Sequence, residues 1–278
     1  MDGTSSASNA AQAWRAQLAA WAIPEDILAA VADSPWVMPR EVFARRADQS
    51  LAAPSGPSFR RASEALRPHG TVLDVGAGAG AASLPLAELC DHLVAVDADP
   101  AMLDELRQRA ERLGLAHRIV EGRWPDVADG LAPADVVVCH HVAYNAPDLD
   151  AFAAALTAHA RRRVVLELTA AHPLRPLNPL WMTLHGLARP AGPTAEDAAD
   201  VLREIGLEPR TERFPRPPRS EYASFDALVA VTRRRLCLPP ERDPDLADAL
   251  RRLGVDPEHP RDLGATGDEL VTLWWDVS

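Results

Sequence analysis

Lysine is absent from this sequence: all 29 of its basic residues are arginine, set against 40 aspartates and glutamates, for a net charge of −11 over 278 residues. A field of that sign repels phosphate backbones unless arginines cluster locally, which disfavours nucleic acid as a partner. The missing lysine, in a chain rich in Ala and Pro, is a trait of composition and implies no mechanism. Cysteine is scarce as well. Cys90, Cys139 and Cys237 lie far apart and form no CxxC pair, so neither a disulfide framework nor a cysteine-rich zinc site is indicated, and no metal is expected. No apolar run approaches the roughly 18 to 20 residues of a membrane span, and the start, MDGTSSASNAAQAW, has no basic n-region. These absences lead us to expect a cytoplasmic protein with no membrane contact. With 47% hydrophobic and 25% charged residues, the chain suits one large globular domain with an appendage and excludes disordered or fibrous architectures.

Periodicity divides the chain near residue 57. Ala11 to Trp21, Glu25 to Ala32 and Pro39 to Arg46 read as short helices, and Ser50 to Pro57 (SLAAPSGP) as a linker by composition. Residues 1–57 are thus expected to form an N-terminal helical extension or lid, and 58–278 the catalytic or binding domain, opened by a helix from Ser58 to Leu66 with Ser58 as its cap. Five short valine-rich runs follow: Thr71 to Val75, Leu93 to Val96, Arg118 to Glu121, Asp135 to His140 and Arg163 to Leu168. They read as strands buried on both faces. Helical patterns at Ala81 to Leu89, Ala101 to Gly114, Leu149 to Ala160 and Thr194 to Gly206 alternate with them, the last opening on a Thr194/Asp197 capping box. Arg210 to Phe214 and Leu270 to Val277 complete seven strands, expected to close the sheet as a hairpin-like pair, with amphipathic helices at Phe225 to Leu236 and Pro244 to Leu253. Alternation of this kind predicts an α/β, Rossmann-like, doubly wound and mostly parallel seven-stranded sheet with helices on both faces.

The chemistry is concentrated in VLDVGAGAG, Val72 to Gly80. A strand ends near Asp74, and Gly76, Ala77, Gly78 and Gly80 then turn toward a helix. Glycines there let a ligand approach backbone amides at the carboxyl edge of the sheet; a tight turn that binds nothing is the plain alternative. In LVAVDADP, Asp97 ends the next strand 21 residues beyond Gly76, the spacing at which a carboxylate accepts from two ribose hydroxyls. Asp99 suits the cap of the helix opening at Pro100. Gly76, Gly78 and Ala81 also satisfy G-x-G-x-x-G/A, so glycines and Asp97 alone leave a dinucleotide open. Asp74 favours another adenosine cofactor, because an acid at the mouth repels a pyrophosphate and suits a sulfonium and an ammonium.

On Asp74, Gly76, Gly78, Gly80 and Asp97, the sequence resembles the class I S-adenosylmethionine-dependent methyltransferases over roughly residues 58 to 214. The resemblance implies that Asp74 and the Gly76 to Gly80 loop hold the methionine part, that Asp97 binds the ribose, and that Ala98 and Met102 pack against adenine. One position departs from the family: where many members carry an aspartate after the third strand, this chain reads Glu121-Gly122-Arg123-Trp124-Pro125. Arg123 cannot accept from the adenine amino group, so backbone around Arg123 and Trp124 would hold it, with the indole as an apolar wall or, equally, as core.

The resemblance also puts the residues nearest the transferred methyl at the end of the fourth strand, DVVVCHHVAYNAPDL. His140 and His141 would point to opposite faces if the strand continued, so at most one reaches the site. His141 is the first candidate for general base, Tyr144 and His172 the alternatives, and His140 is placed near the cofactor. Glu167, Asn178, Trp181 and His185 are candidates for a substrate pocket, though the face shared by the last three equally suits packing. Trp14, Trp21 and Trp36 would let the N-terminal helices cover the cofactor mouth, or else cap the sheet or meet a second copy. The arginine triplets 161–163 and 233–235 could meet phosphate or simply be solvated. The expected activity is methyl transfer from S-adenosyl-L-methionine to an oxygen or nitrogen of a small-molecule acceptor. Its rivals are an RNA methyltransferase, an NAD-dependent oxidoreductase and a non-catalytic protein that binds the same cofactor.

Overall fold

The computed structural model describes residues 9–29, 31, 35, 39–216, 222–261, 263 and 269–277; Trp36 lies outside them. In chain order the elements are α1 (Asn9–Ala19), α2 (Glu25–Ala29), α3 (Arg40–Ala52), α4 (Pro57–Leu66), β1 (Gly70–Val75), β2 (Cys90–Asp97), α5 (Pro100–Arg112), β3 (His117–Glu121), β4 (Ala134–His140), α6 (Leu149–Ala158), β5 (Ala160–Thr169), α7 (Asn178–His185), α8 (Ala195–Glu204), β6 (Arg210–Pro215), α9 (Phe225–Arg235), α10 (Asp243–Arg252) and β7 (Glu269–Asp276).

The seven strands form one sheet in the order β3-β2-β1-β4-β5-β7-β6. β1 to β5 run parallel, and β7 is antiparallel to both β5 and β6. This is the doubly wound, mostly parallel architecture that alternation predicts. β6 and β7 do pair, yet they are not a hairpin, because α9 and α10 intervene between them. The order reverses between β1 and β4, opening a crevice at the carboxyl edge where such sheets take ligands.

Alternate residues of the central strands feed two separate cores. Leu73, Val75, Val137, Cys139, Val164, Leu166, Leu273 and Trp275 pack against α1, α6 and α8. Val72, Val136, Val138, Val165 and Trp274 pack on the opposite face, against α4 and α5. Period-two alternation in strands covered on both sides produces this division. A third core combines Ile23 and Val42 with Leu177, Leu180, Trp181, Phe225, Leu228, Leu246 and Leu250. The segment 1–57 is therefore not a packing unit of its own: α1 is part of the sheet's core, whereas α2 and α3 join α7, α9 and α10 in a helical cap.

Local signals explain some element ends. Asp99 caps α5, accepting from Ala101 N at 2.9 Å, and Thr194 and Asp197 make the reciprocal capping box of α8. Three expectations differ. Gly56, not Ser58, caps α4; the Ser58 hydroxyl is buried 2.6 Å from that of Thr272. The linker region is partly helical, since α3 runs on to Ala52. Between β1 and β2 there is no α-helix, only turns and a 3-10 helix over Leu84–Leu89. Pro85 lacks an amide there, and Gly80 holds φ +91 with Leu84 packed where its Cβ would stand, so a regular helix cannot begin at Ala81.

Candidate functional site

The loop from Gly76 to Gly80 leaves β1 at the carboxyl edge, with Gly76, Gly78 and Gly80 at φ of 70, 50 and 91. A Cβ on Gly76 would lie 2.2 Å from Val142 Cγ2, whereas one on Gly78 would meet nothing within 4 Å. Gly76 is thus required by protein packing, and Gly78 faces open space. The loop's amides are less available than the motif suggests. Those of Gly76 and Ala77 donate to Val96 O at 2.8 and 3.0 Å, and that of Gly80 to Ala77 O at 2.8 Å, because the β1–β2 ladder extends into the turn. Gly78 N donates to Asp97 Oδ2 at 2.8 Å, and Asp99 N to Asp97 Oδ1 at 2.9 Å. Asp97 therefore braces the loop and keeps further lone pairs for an outside donor.

Beneath the loop Asp74 is wholly buried. Neither of its oxygens, nor the Ser83 hydroxyl beside it, meets hydrogen-bond geometry. Burial pushes the Asp74 carboxyl up to about 7, partly offset by Ser83 and reinforced by the charge of Asp97. An orphaned buried carboxylate under an open glycine fits a cofactor that brings positive charge or N–H donors to this edge.

The remaining cofactor candidates are dispersed around the edge. Ala98 is exposed and Met102 buried on α5. Arg123 is exposed, but Trp124 is turned toward α6, its Nε1 donating to Phe152 O at 3.3 Å and its ring meeting His159 edge-on at 5.1 Å. The indole thus takes the core reading rather than that of an adenine wall. Near Asp97 sits a residue the sequence did not suggest: Arg40, at the start of α3, lies 3.6 Å from Asp99. Arg109 ties α3 to α5 through Asp48 at 2.8 Å and Ala44 O at 3.3 Å. It is α3, not Trp14 or Trp21, that approaches Asp99 and α5.

At the end of β4 the two histidines are not divided between faces. β4 stops at His140, and His141 adopts φ 62, which turns its Nε2 to within 3.2 Å of Glu167 Oε1. Glu167 is also the register partner of His140. Tyr144 and His172 are structural. The Tyr144 hydroxyl donates to Thr169 O at 2.8 Å, its ring stacks on Trp14 at 5.5 Å, and burial raises its pKa. His172 stacks on Trp21 at 3.9 Å, and burial, with the charge of Arg189, pushes it down to about 3. That packing removes both from the role of base and shows what anchors α1: Trp14 Nε1 donates to Ala146 O at 2.9 Å and Trp21 Nε1 to Gly192 O at 2.6 Å.

The face shared by Asn178, Trp181 and His185 is likewise packing. Asn178 donates to Pro190 O at 2.8 Å, Trp181 lies under Arg189, and His185 Nε2 is 2.6 Å from Leu236 O. Several arginines of the two triplets are engaged internally, among them Arg162 with Asp135, Arg163 with Asp276 and Arg233 with Asp243. Among the described residues no group of three or more His, Cys, Asp or Glu could hold a metal, and no helix is long and apolar enough to cross a membrane.

Residues 72–163 match the methyltransferase domain family, the stretch that carries the glycine loop, Asp97 and the end of β4. An uncharacterized protein of Haemophilus influenzae is 36% identical over 96 residues, 34% of this chain and 35% of its own length. Ribosomal RNA small subunit methyltransferase A of Dichelobacter nodosus is 32% identical over 79 residues, 28% of this chain and 30% of its own. The chain thus spans about a third of the length of these relatives. In fold it is similar to a solved structure from Bacillus halodurans, provisionally assigned as a methyltransferase, with TM-score 0.50 and 17% identity over 82% of this chain and 98% of that one. Over residues 72–163 the chain thus matches a methyltransferase domain, and its fold is that of such domains.

Proposed function

We propose that the whole chain transfers a methyl group from S-adenosyl-L-methionine to an oxygen or nitrogen of a small-molecule acceptor. The observation that carries this reading is the juxtaposition, at the switch point of the sheet, of an open Gly78, the Asp97 carboxylate and the buried, unpartnered Asp74. Asp97 would hold the ribose, the Gly76 to Gly80 loop and Asp74 the methionine part, and Ala98 and Met102 the adenine side. When bound, the cofactor supplies an electrophilic methyl group, so that positioning accounts for much of the rate and little acid–base machinery is needed. His141, at the acceptor side of the same edge, is the candidate to take the acceptor's proton, with His140 beside it.

A small acceptor is favoured over RNA by the charge of −11 and by the helical cap, which forms an open cleft of about 420 Å³ between α3 and α9, lined by Val42, Arg45, Tyr222, Ala227 and Val231 among others. That volume lies in the range of small-molecule pockets. Calorimetric titration of the full chain with S-adenosylhomocysteine and with NAD tests the cofactor. Micromolar binding of the first alone is expected; binding of NAD alone, or of neither, overturns the reading. Radiolabelled methyl transfer into fractionated extract, with small molecules and RNA counted apart, decides the acceptor class, and label in RNA refutes the small-molecule assignment.

A further inference from the structure

The α4 face of the sheet is crossed by one polar row. By register His140, Glu167, Thr272 and Glu212 stand side by side on β4, β5, β7 and β6, next to the apolar row Val138, Val165 and Trp274. The outer end of the polar row is neutralised: Glu212 pairs with Arg60 at 2.6 Å and Arg61 at 3.1 Å from α4. Thr272 is occupied with Ser58. Glu167, its side chain only 14% exposed, therefore faces two hydroxyls on one side and two imidazoles on the other. A carboxylate so enclosed is costly unless paired.

The pairing is with His141. Burial would raise Glu167, but the charge of His140, the hydrogen bond and charge of His141, and Ser58 bring it down to about 2. His140, for its part, is lowered chiefly by burial. Glu167 also grips His141 twice. His141 N donates to Glu167 O at 2.7 Å, and Nε2 lies 3.2 Å from Oε1. The first contact pins a left-handed conformation that a non-glycine residue adopts only at a cost, and the second orients the ring. No described residue hydrogen-bonds Nδ1.

We propose that Glu167 is a positioning residue for His141, keeping Nε2–H toward its carboxylate and Nδ1 as the proton-accepting nitrogen at the acceptor side of the edge. The assignment rests on the methyltransferase reading above. As the acceptor's heteroatom forms its bond to the transferred methyl, its proton passes to Nδ1, and the electron pair of the broken carbon–sulfur bond stays on sulfur. Glu167 stabilises the resulting imidazolium, which returns its proton to water. A carboxylate beside one ring nitrogen of a histidine fixes which nitrogen carries the hydrogen and which is left bare.

The test is histidine nitrogen NMR on the full-length protein, with the His141 signals assigned by their disappearance in His141→Ala. In the native protein above its titration, Nε2 is expected to carry the hydrogen and Nδ1 to be bare; the opposite tautomer overturns the proposal without any variant. In Glu167→Leu that preference is expected to be lost, with hydrogen on Nδ1 as well as Nε2, and Glu167→Gln is expected to be intermediate. An unchanged tautomer in a folded Glu167→Leu protein also overturns it. Both readouts report the pair whether or not an acceptor is known, whereas failure of the native protein to bind S-adenosylhomocysteine defeats the cofactor reading instead.

Discussion

Gly76 and Gly78 both hold left-handed backbone two residues apart in one motif, yet alanine at each should fail in a different way. At either position a Cβ in the left-handed region costs about 1 to 2 kcal/mol. For Gly78, at φ 50 with nothing within 4 Å, that strain is the entire penalty in the free protein. Gly76→Ala adds a contact of 2.2 Å with Val142 Cγ2, and relieving an overpacked site of this kind costs roughly 1 to 3 kcal/mol more. The totals are about 1 to 2 against 2 to 5 kcal/mol. At about 2 to 4 °C per kcal/mol for a chain of this size, Gly76→Ala should melt visibly lower than Gly78→Ala. Binding should rank the other way among folded variants. Gly78→Val puts a branched side chain into the open space proposed for the cofactor and should abolish S-adenosylhomocysteine binding in calorimetry, while Gly76→Ala retains what binding its folded fraction allows. The added Val142→Ala change should recover the clash part of the Gly76→Ala loss in a double-mutant cycle. A folded Gly78→Val protein with native affinity would refute the assignment of the loop to the cofactor.

Asp97→Ala should weaken S-adenosylhomocysteine binding by about 1.5 to 3 kcal/mol, the range of a lost charge-assisted hydrogen bond. It should also lower the melting temperature slightly, since Gly78 N and Asp99 N lose their acceptor; unchanged affinity by calorimetry removes Asp97 from the site. His141→Ala should cut methyl transfer roughly 10²-fold or more with cofactor affinity intact. Loss of stability with full activity per folded molecule would make His141 a structural residue, and the same pair of measurements on His140→Ala serves as the comparison. Asp74, raised in the folded state to about 7, binds more protons folded than unfolded, so its contribution is present below about pH 4 and is lost as pH rises through 7. Asp74→Asn should therefore gain stability relative to the native protein between pH 4 and 8, by up to a few kcal/mol in denaturant melts of the free protein; a constant difference across that range would show that Asp74 does not titrate there.

Sequence alone determined the features that are local or periodic. Valine-rich runs of four to six residues, separated by helical patterns, read as strands of a doubly wound sheet; the central ones are covered on both faces, whereas β3, at the edge, has no buried residue. Asp99 and the Thr194/Asp197 box were legible because a cap is a contact across two or three residues. The glycine loop and Asp97 were legible because a strand-end turn and a strand-end acid converge at one edge whatever the rest of the chain does. Tertiary structure decided whatever depends on which distant segments meet. Trp14, Trp21, Tyr144 and His172 read as site candidates and became one stack, because α1 packs on α6 and α8 rather than over the cofactor. Trp124 followed α6 into the core. The cap is assembled from segments around residues 23–42, 174–187 and 222–255, whose local patterns say only that each is amphipathic. His141 and Glu167 are 26 residues apart, and alternation set the two histidines on opposite faces; the left-handed turn at a non-glycine residue, held by β5 alongside, brought them to one carboxylate. Local propensity does not encode such a backbone state. It persists because hydrogen bonds to the neighbouring strand offset its cost, and that neighbour exists only in the folded sheet.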